Sequence, residues 1–163
     1  EGNMLLDAMK KIDYVPPPTL HMYTAPGPML KNPDAKNALA LTMFEQHAPM
    51  MGNPGAMEFS KLFNERASKA GLPETQLDIQ AAVSLAAWQT LEAAILATKS
   101  LDDKILAAWL KKNTVKTIVG NLRFDGLNNY GDDLTKLKQL QNGEWVIVWP
   151  TAFAKPGVKF VAP

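Results

Sequence analysis

Three consecutive stretches decide how this chain folds: AAVSLAAWQTLEAAI at 81–95, TVKTIVGNLRFD at 114–125 and LKQLQNGEWVIVWP at 137–150. The first is Ala-rich, and its apolar residues nearly encircle a helix, so more than one of its faces should be buried. That helix is expected to run from Gln76 or Asp78 to Lys99. Gln80, Ser84, Gln89, Thr90 and Glu92 interrupt the apolar run, which favours a buried helix over a membrane span. The second stretch reads as a Gly-containing strand. The third reads as a hairpin, because Asn142-Gly143 sits between two strand-like runs and a type I′ turn needs positive φ at both of its central residues.

Working outward, Asn3 can cap a short helix over 3–11, with Met4, Leu5, Ala8 and Met9 at helical spacing. Tyr14-Val15-Pro16-Pro17-Pro18 stops it, since each proline lacks a backbone donor and disfavours helix before it. Thr19 to Thr24 reads as a strand, Ala25-Pro26-Gly27-Pro28 as a loop, and Ala38 to Phe44 as a second strand. Two prolines and two glycines between Glu45 and Gly55 argue for an extended crossing. A helix over 57–70 places Phe59, Leu62, Phe63 and Ala67 on one face, with Gly71 at its C-terminal cap and Pro73 beyond. Ser100 and Asp103 resemble a capping box opening a helix over 101–112, with Leu101, Ile105, Ala108 and Trp109 on one side. The last 13 residues read as a tail lying on something.

Composition bounds the class. With 163 residues, 47% hydrophobic and 20% charged, the chain can build about one ordinary domain with a core. A net charge of +1 gives no reason to expect nucleic acid or an anionic membrane as partner, and basic residues do not alternate with aromatics along a face. The absence of cysteine removes disulfides, thiolate nucleophiles and cysteine metal sites together. The chain begins Glu1-Gly2-Asn3, with neither an initiator Met nor a basic-then-apolar leader, and reads as a processed chain or a fragment.

Catalytic chemistry is hard to find. Neither His21 nor His47 has a metal-type partner at helical spacing. Glu45 and His47 read as part of a polar loop at the crossing; on a strand they would share a face, and a metal or acid–base pair is the lesser alternative there. Asp102-Asp103 suits a helix N-terminus and Asp132-Asp133 suits a turn, and neither has the across-cleft arrangement of general acid/base work. Gly52-Asn53-Pro54-Gly55 has no following Lys-Ser/Thr, and no Ser sits in a nucleophile elbow. The eight methionines, all within the first 57 residues, read as core filling. No catalytic residue, metal site or cofactor is expected.

The order and spacing of TIVGNLRFD (117–125), of Gln139 or Gln141, and of Gly143, Trp149 and Pro150 resemble the C-terminal part of the type I periplasmic solute-binding proteins of branched-chain-amino-acid-type ABC transporters. The resemblance implies an α/β fold: the C-terminal portion of a two-lobed type I periplasmic-binding-protein fold, with helices packed on short strands and a final β-hairpin. It assigns residues 1–46 to the ligand-binding second lobe. Residues 47–133 fall in the first lobe with a crossover near 47–55, and 134–163 return to the second. It also implies a substrate-binding component of an ABC importer for amino acids or related small carboxylates, present as a fragment and not an enzyme. Its ligand contacts would be Tyr23, Thr24, Ala25 and Gln80.

The implied partners are a small ligand and a membrane permease, and the implied location is the periplasm or, lipid-anchored, the surface of a Gram-positive cell. A chain cut this way exposes apolar surface, so a homodimer or pairing with the N-terminal half is expected, with Trp88, Trp145 and Val148 as contacts. The competing readings are a non-catalytic sensor or interaction domain on the same half-fold, and an α/β enzyme. Ligand-induced thermal shift separates the first reading from both.

Overall fold

The computed structural model describes residues 2–162 except residue 15, 23–25 and 128–133. Helices α1 (Gly2–Lys11) and α2 (Pro26–Leu30) are each followed by a strand, β1 (Leu20–His21) and β2 (Leu39–Thr42); three successive helices, α3 (Ala56–Lys69), α4 (Ile79–Thr98) and α5 (Asp103–Leu110), then precede four strands, β3 (Val115–Thr117), β4 (Gly120–Leu122), β5 (Lys136–Gln141) and β6 (Glu144–Trp149). Short 3-10 turns occupy Pro33–Ala35, Met50–Gly52 and Thr151–Phe153.

One sheet runs in the order β1-β2-β5-β6, with β1 parallel to β2 and the remaining pairs antiparallel. Register puts Ala40, Thr42, Lys136, Lys138, Leu140, Trp145 and Ile147 on one face. Part of that face meets α1, α2 and the turn at Pro33–Ala35 in a cluster containing Leu6, Met29, Ala35 and Ala40. The rest joins Phe44, Met50, Ala56, Leu77, Ala82, Ala86, Ile118 and Val119, which carry the core into α3, α4 and the β3–β4 hairpin. The sheet is therefore built from the two ends of the sequence, and the middle of the sequence packs on it.

Local chemistry explains the element ends. Asp78 caps α4 by accepting from Ala81 N at 2.8 Å. Gly71 sits at φ 68° after α3, and Leu72 N bonds Ala67 O while Gly71 N bonds Ser68 O, the paired bonds of a Schellman cap. Asn142 (φ 51°) and Gly143 (φ 79°) both adopt positive φ, as a type I′ hairpin demands.

Several expectations are corrected. The strand read over Thr19 to Thr24 is only Leu20–His21 among the described residues. The loop read at Ala25-Pro26-Gly27-Pro28 instead opens α2 at Pro26, since a proline's fixed φ and missing N–H suit the first turn of a helix. The stretch at 114–125 is not one strand: it folds back at Ile118-Val119, and Thr117 pairs with Gly120 across the turn. Gly120 takes φ 115°, closed to most side chains, so the glycine marks a turn. The Ser100–Asp103 box does not form. Asp102 is the cap, accepting from Lys104 N and Ile105 N, and the helix starts at Asp103.

Helix α4 buries one stripe, Ile79, Ala82, Ala86, Thr90 and Ala94, while Trp88, Leu91 and Leu96 stay exposed. By length and composition alone it could cross a membrane; here its alanine stripe lets it approach β3 and α5 closely. Of the three residues expected at an intermolecular contact, only Trp88 is exposed, at 69%. Trp145 and Val148 are buried within this chain, as are the two β6 residues between them.

Candidate functional site

The sheet and the helical middle of the sequence meet at the segment between β2 and α3, and the two buried lysines of β5 find their partners around this junction. Lys138 lies on the covered face of β5, with its side chain 2% exposed, and its ammonium donates to Glu45 Oε1 at 2.6 Å. The same ammonium stands 4.9 Å from the centroid of the Trp145 ring, within cation–π range. Two residues along β5, the equally buried Lys136 donates to Val119 O and Leu134 O, both at 3.2 Å, beside the Phe153 ring. Two lysines thus tie the sheet to both segments that lead into the helical part.

His47 makes a third tie. Its Nδ1 lies 2.8 Å from Ala48 O and its Nε2 lies 3.2 Å from Ile147 N. A carbonyl only accepts and an amide N–H only donates, so the hydrogen sits on Nδ1 and Nε2 accepts. Ile147 O takes Lys155 N, so both backbone groups of β6 at this residue are satisfied on the side away from β5. Glu45 and His47 therefore have separate partners and do not form the acid–base pair that their spacing allowed. Among the described residues no group of three His, Asp or Glu side chains is arranged to hold a metal ion.

Glu45, Gln46, His47, Gln76, Glu144 and Trp145 line a cleft of about 240 Å³ at this junction. At its rim Lys155 donates to Glu144 at 2.6 Å. That hydrogen bond, with the ammonium charge, holds the Glu144 carboxyl below its ordinary range. His21, on β1, bonds Thr19 Oγ1 at 2.7 Å, and burial pushes its imidazole below the usual value.

Of the residues read from the sequence as ligand contacts, Tyr23, Thr24 and Ala25 lie outside the described residues. Gln80 is exposed in the first turn of α4, where its carbonyl accepts from Ser84 Oγ. The elements around them do meet. Gly27, near the start of α2, lies so close to Glu74 that a side-chain carbon there would overlap the carboxylate. The chain following Ala25 thus abuts the loop that leads into α4 and Gln80. Asp102, one of the paired acids, is a helix cap; Asp132 and Asp133 lie outside the described residues.

Sequence reasoning missed the Glu45–Lys138 and Glu144–Lys155 pairs and the part played by Lys136. The alternation in KLKQLQ hid them, because it placed lysines where a one-sided sheet would face water.

The fold is a mixed α/β arrangement that matches part of the periplasmic binding-protein fold. The leucine-binding protein LivK of Thermotoga maritima superposes with a TM-score of 0.63 at 17% identity, over 93% of this chain and 41% of that one. An ABC transporter substrate-binding protein from Desulfitobacterium hafniense, solved in complex with leucine, gives 0.63 at 19% identity, over 90% of this chain and 40% of its own. The chain spans about two fifths of the length of each. No protein-family model and no curated protein matches the sequence. The resemblance of the C-terminal motifs to type I solute-binding proteins is thus matched by the three-dimensional fold, and a C-terminal fragment of such a protein fits the coverage.

Proposed function

We propose that this chain is the C-terminal portion of a substrate-binding component of an ABC importer, taking an amino acid or a related small carboxylate without chemical change. The observation that carries the reading is the fold: nine tenths or more of the chain follows proteins named for leucine binding or solved with leucine. In this reading 1–46 and 134–163 belong to one lobe and 47–133 to the other. The ligand lies between them, touching Tyr23, Thr24 and Ala25 ahead of α2 and Gln80 at the start of α4. The contact of Gly27 with Glu74 supports it, since it draws those two stretches toward each other. The protein works outside the cytoplasmic membrane, in the periplasm or lipid-anchored to a Gram-positive cell, and hands its ligand to a membrane permease. The exposed face of α4 is covered by the N-terminal half of the receptor or by a second copy.

Calorimetric titration of the longest polypeptide encoded around this chain with leucine, other amino acids and small organic acids tests the proposal. Binding of one class at micromolar affinity is the expected result, and no heat from any member of the panel would reject it. The isolated chain should bind none of them tightly, because affinity arises from enclosure between complementary walls.

A further inference from the structure

We propose that the groove between the β5–β6 hairpin and the C-terminal tail is a binding site for an amphiphilic carboxylate, meaning an apolar chain or ring that carries one negative charge. Leu137, Val148 and Trp149 form one wall of this groove of about 590 Å³ and Phe160 lies in the other. The volume is that of a small-molecule site. Trp149 and Phe160 are 60% and 49% exposed and line the same groove, so an apolar occupant would take both out of water.

The far wall is held by specific bonds. Gln139, fully buried, donates through Nε2 to Val161 O and accepts through Oε1 from Val161 N, both at 2.9 Å. Gln141 donates to Lys159 O at 2.8 Å and to Gln139 Oε1 at 2.7 Å. These amides treat the tail as an added strand, which leaves the groove open beside it.

Charge selects the ligand. Lys155 and Lys159 are the charged residues of the lining, which contains no carboxylate. Lys155 is partnered by Glu144, whereas Lys159 makes no ion pair among the described residues. An apolar body lying against Trp149 and Phe160 therefore finds an unpaired ammonium at the rim. Gln80 does not line this groove, and its walls Leu137 and Val148 point away from the sheet face that carries Lys138 and Trp145.

The test follows the four indole N–H signals by NMR, with Trp149 assigned through Trp149→Phe. The probes are decanoate and decyltrimethylammonium, each below its micellar concentration. Decanoate should shift the Trp149 signal saturably and bind roughly three- to fivefold tighter than the cationic probe, the range of an exposed ion pair. Lys159→Gln, a surface change, should erase that preference while the other indole signals stay in place. Equal affinity for both probes would overturn the proposal. So would a Trp88 signal that moves as much as Trp149, since Trp88 is an exposed indole that does not line this groove and reports unspecific adsorption.

Discussion

Lys138 Nζ and Glu45 Oε1 lie 2.6 Å apart in a setting that leaves the lysine 2% and the glutamate 15% exposed, although the two residues are separated by almost the whole helical part of the chain. A buried pair of this kind is expensive to halve. Lys138→Met should destabilise the protein by roughly 3–5 kcal/mol, because it strands a desolvated carboxylate. The double variant Glu45→Gln/Lys138→Met should recover a large share of that loss. Urea unfolding of the three proteins measures both, and a double variant no more stable than the single one contradicts this account.

Acid should weaken the fold through His21. Burial lowers its folded pKa below the unfolded value of 6.5. The unfolded state then binds the proton first, so stability is complete above 6.5 and falls as pH drops below it toward the folded pKa. Thermal melting of His21→Gln between pH 5 and 8 should show a flatter profile than the parent. Glu144 has the same sign at lower pH: its depressed pKa gives stability that is lost as pH falls through the carboxylate range. The effect should be small, since the Glu144 side chain is 64% exposed and solvent screens the pair.

Gln89 is a polar staple within the helical part. Its Nε2 donates to Pro54 O at 3.0 Å and its Oε1 accepts from Ile118 N at 2.8 Å, with Ile118 fully buried. Gln89→Leu should cost about 1–3 kcal/mol, the penalty of an orphaned buried N–H, despite raising helix hydrophobicity. Chemical denaturation reads this directly.

In the longer protein, Tyr23→Ala and Gln80→Ala should each weaken ligand binding by roughly 1–3 kcal/mol if they make buried polar contacts. Calorimetry that finds both variants at parental affinity would remove them from the site.

The exposed stripe of Trp88, Leu91 and Leu96 should make the isolated chain self-associate. Light scattering at micromolar concentration should report a species larger than a monomer, and Trp88→Ser should shift it toward the monomer. A parent chain that is monomeric throughout would show that this stripe needs no cover.

The parts of the fold legible in the sequence were those set by local backbone chemistry. Asn142-Gly143, the Gly71 cap and the Asp78 boundary each depend on one or two residues and their dihedrals. What escaped depends on distant partners. Nothing local reveals that Lys136 and Lys138 face inward, because the Val119 carbonyl, the Phe153 and Trp145 rings and the Glu45 carboxylate that meet them come from other segments. The turn at Ile118-Val119 was hidden for a similar reason: two β-branched apolar residues suit a strand, yet here both are buried in the core as the corner of a hairpin. Trp145 and Val148 read as sticky because their cover is supplied by the chain's two ends. Of the candidate site, the sequence located Gln80 on the first turn of α4 and drew attention to Glu45 and His47, but held no sign of the lysines that partner Glu45 and Glu144.

The glutamine clamp on the tail has an evolutionary consequence. Gln139 and Gln141 hold Lys159 and Val161 through main-chain atoms, so the identity of those two side chains is irrelevant to the grip. The tail can therefore drift in sequence while keeping its path, with proline at 161 as the exception because it would remove the donated N–H. Homologues should preserve the pair of amides on β5 more faithfully than the residues they hold, and a comparison of tails alone would underestimate how constant this corner of the molecule is.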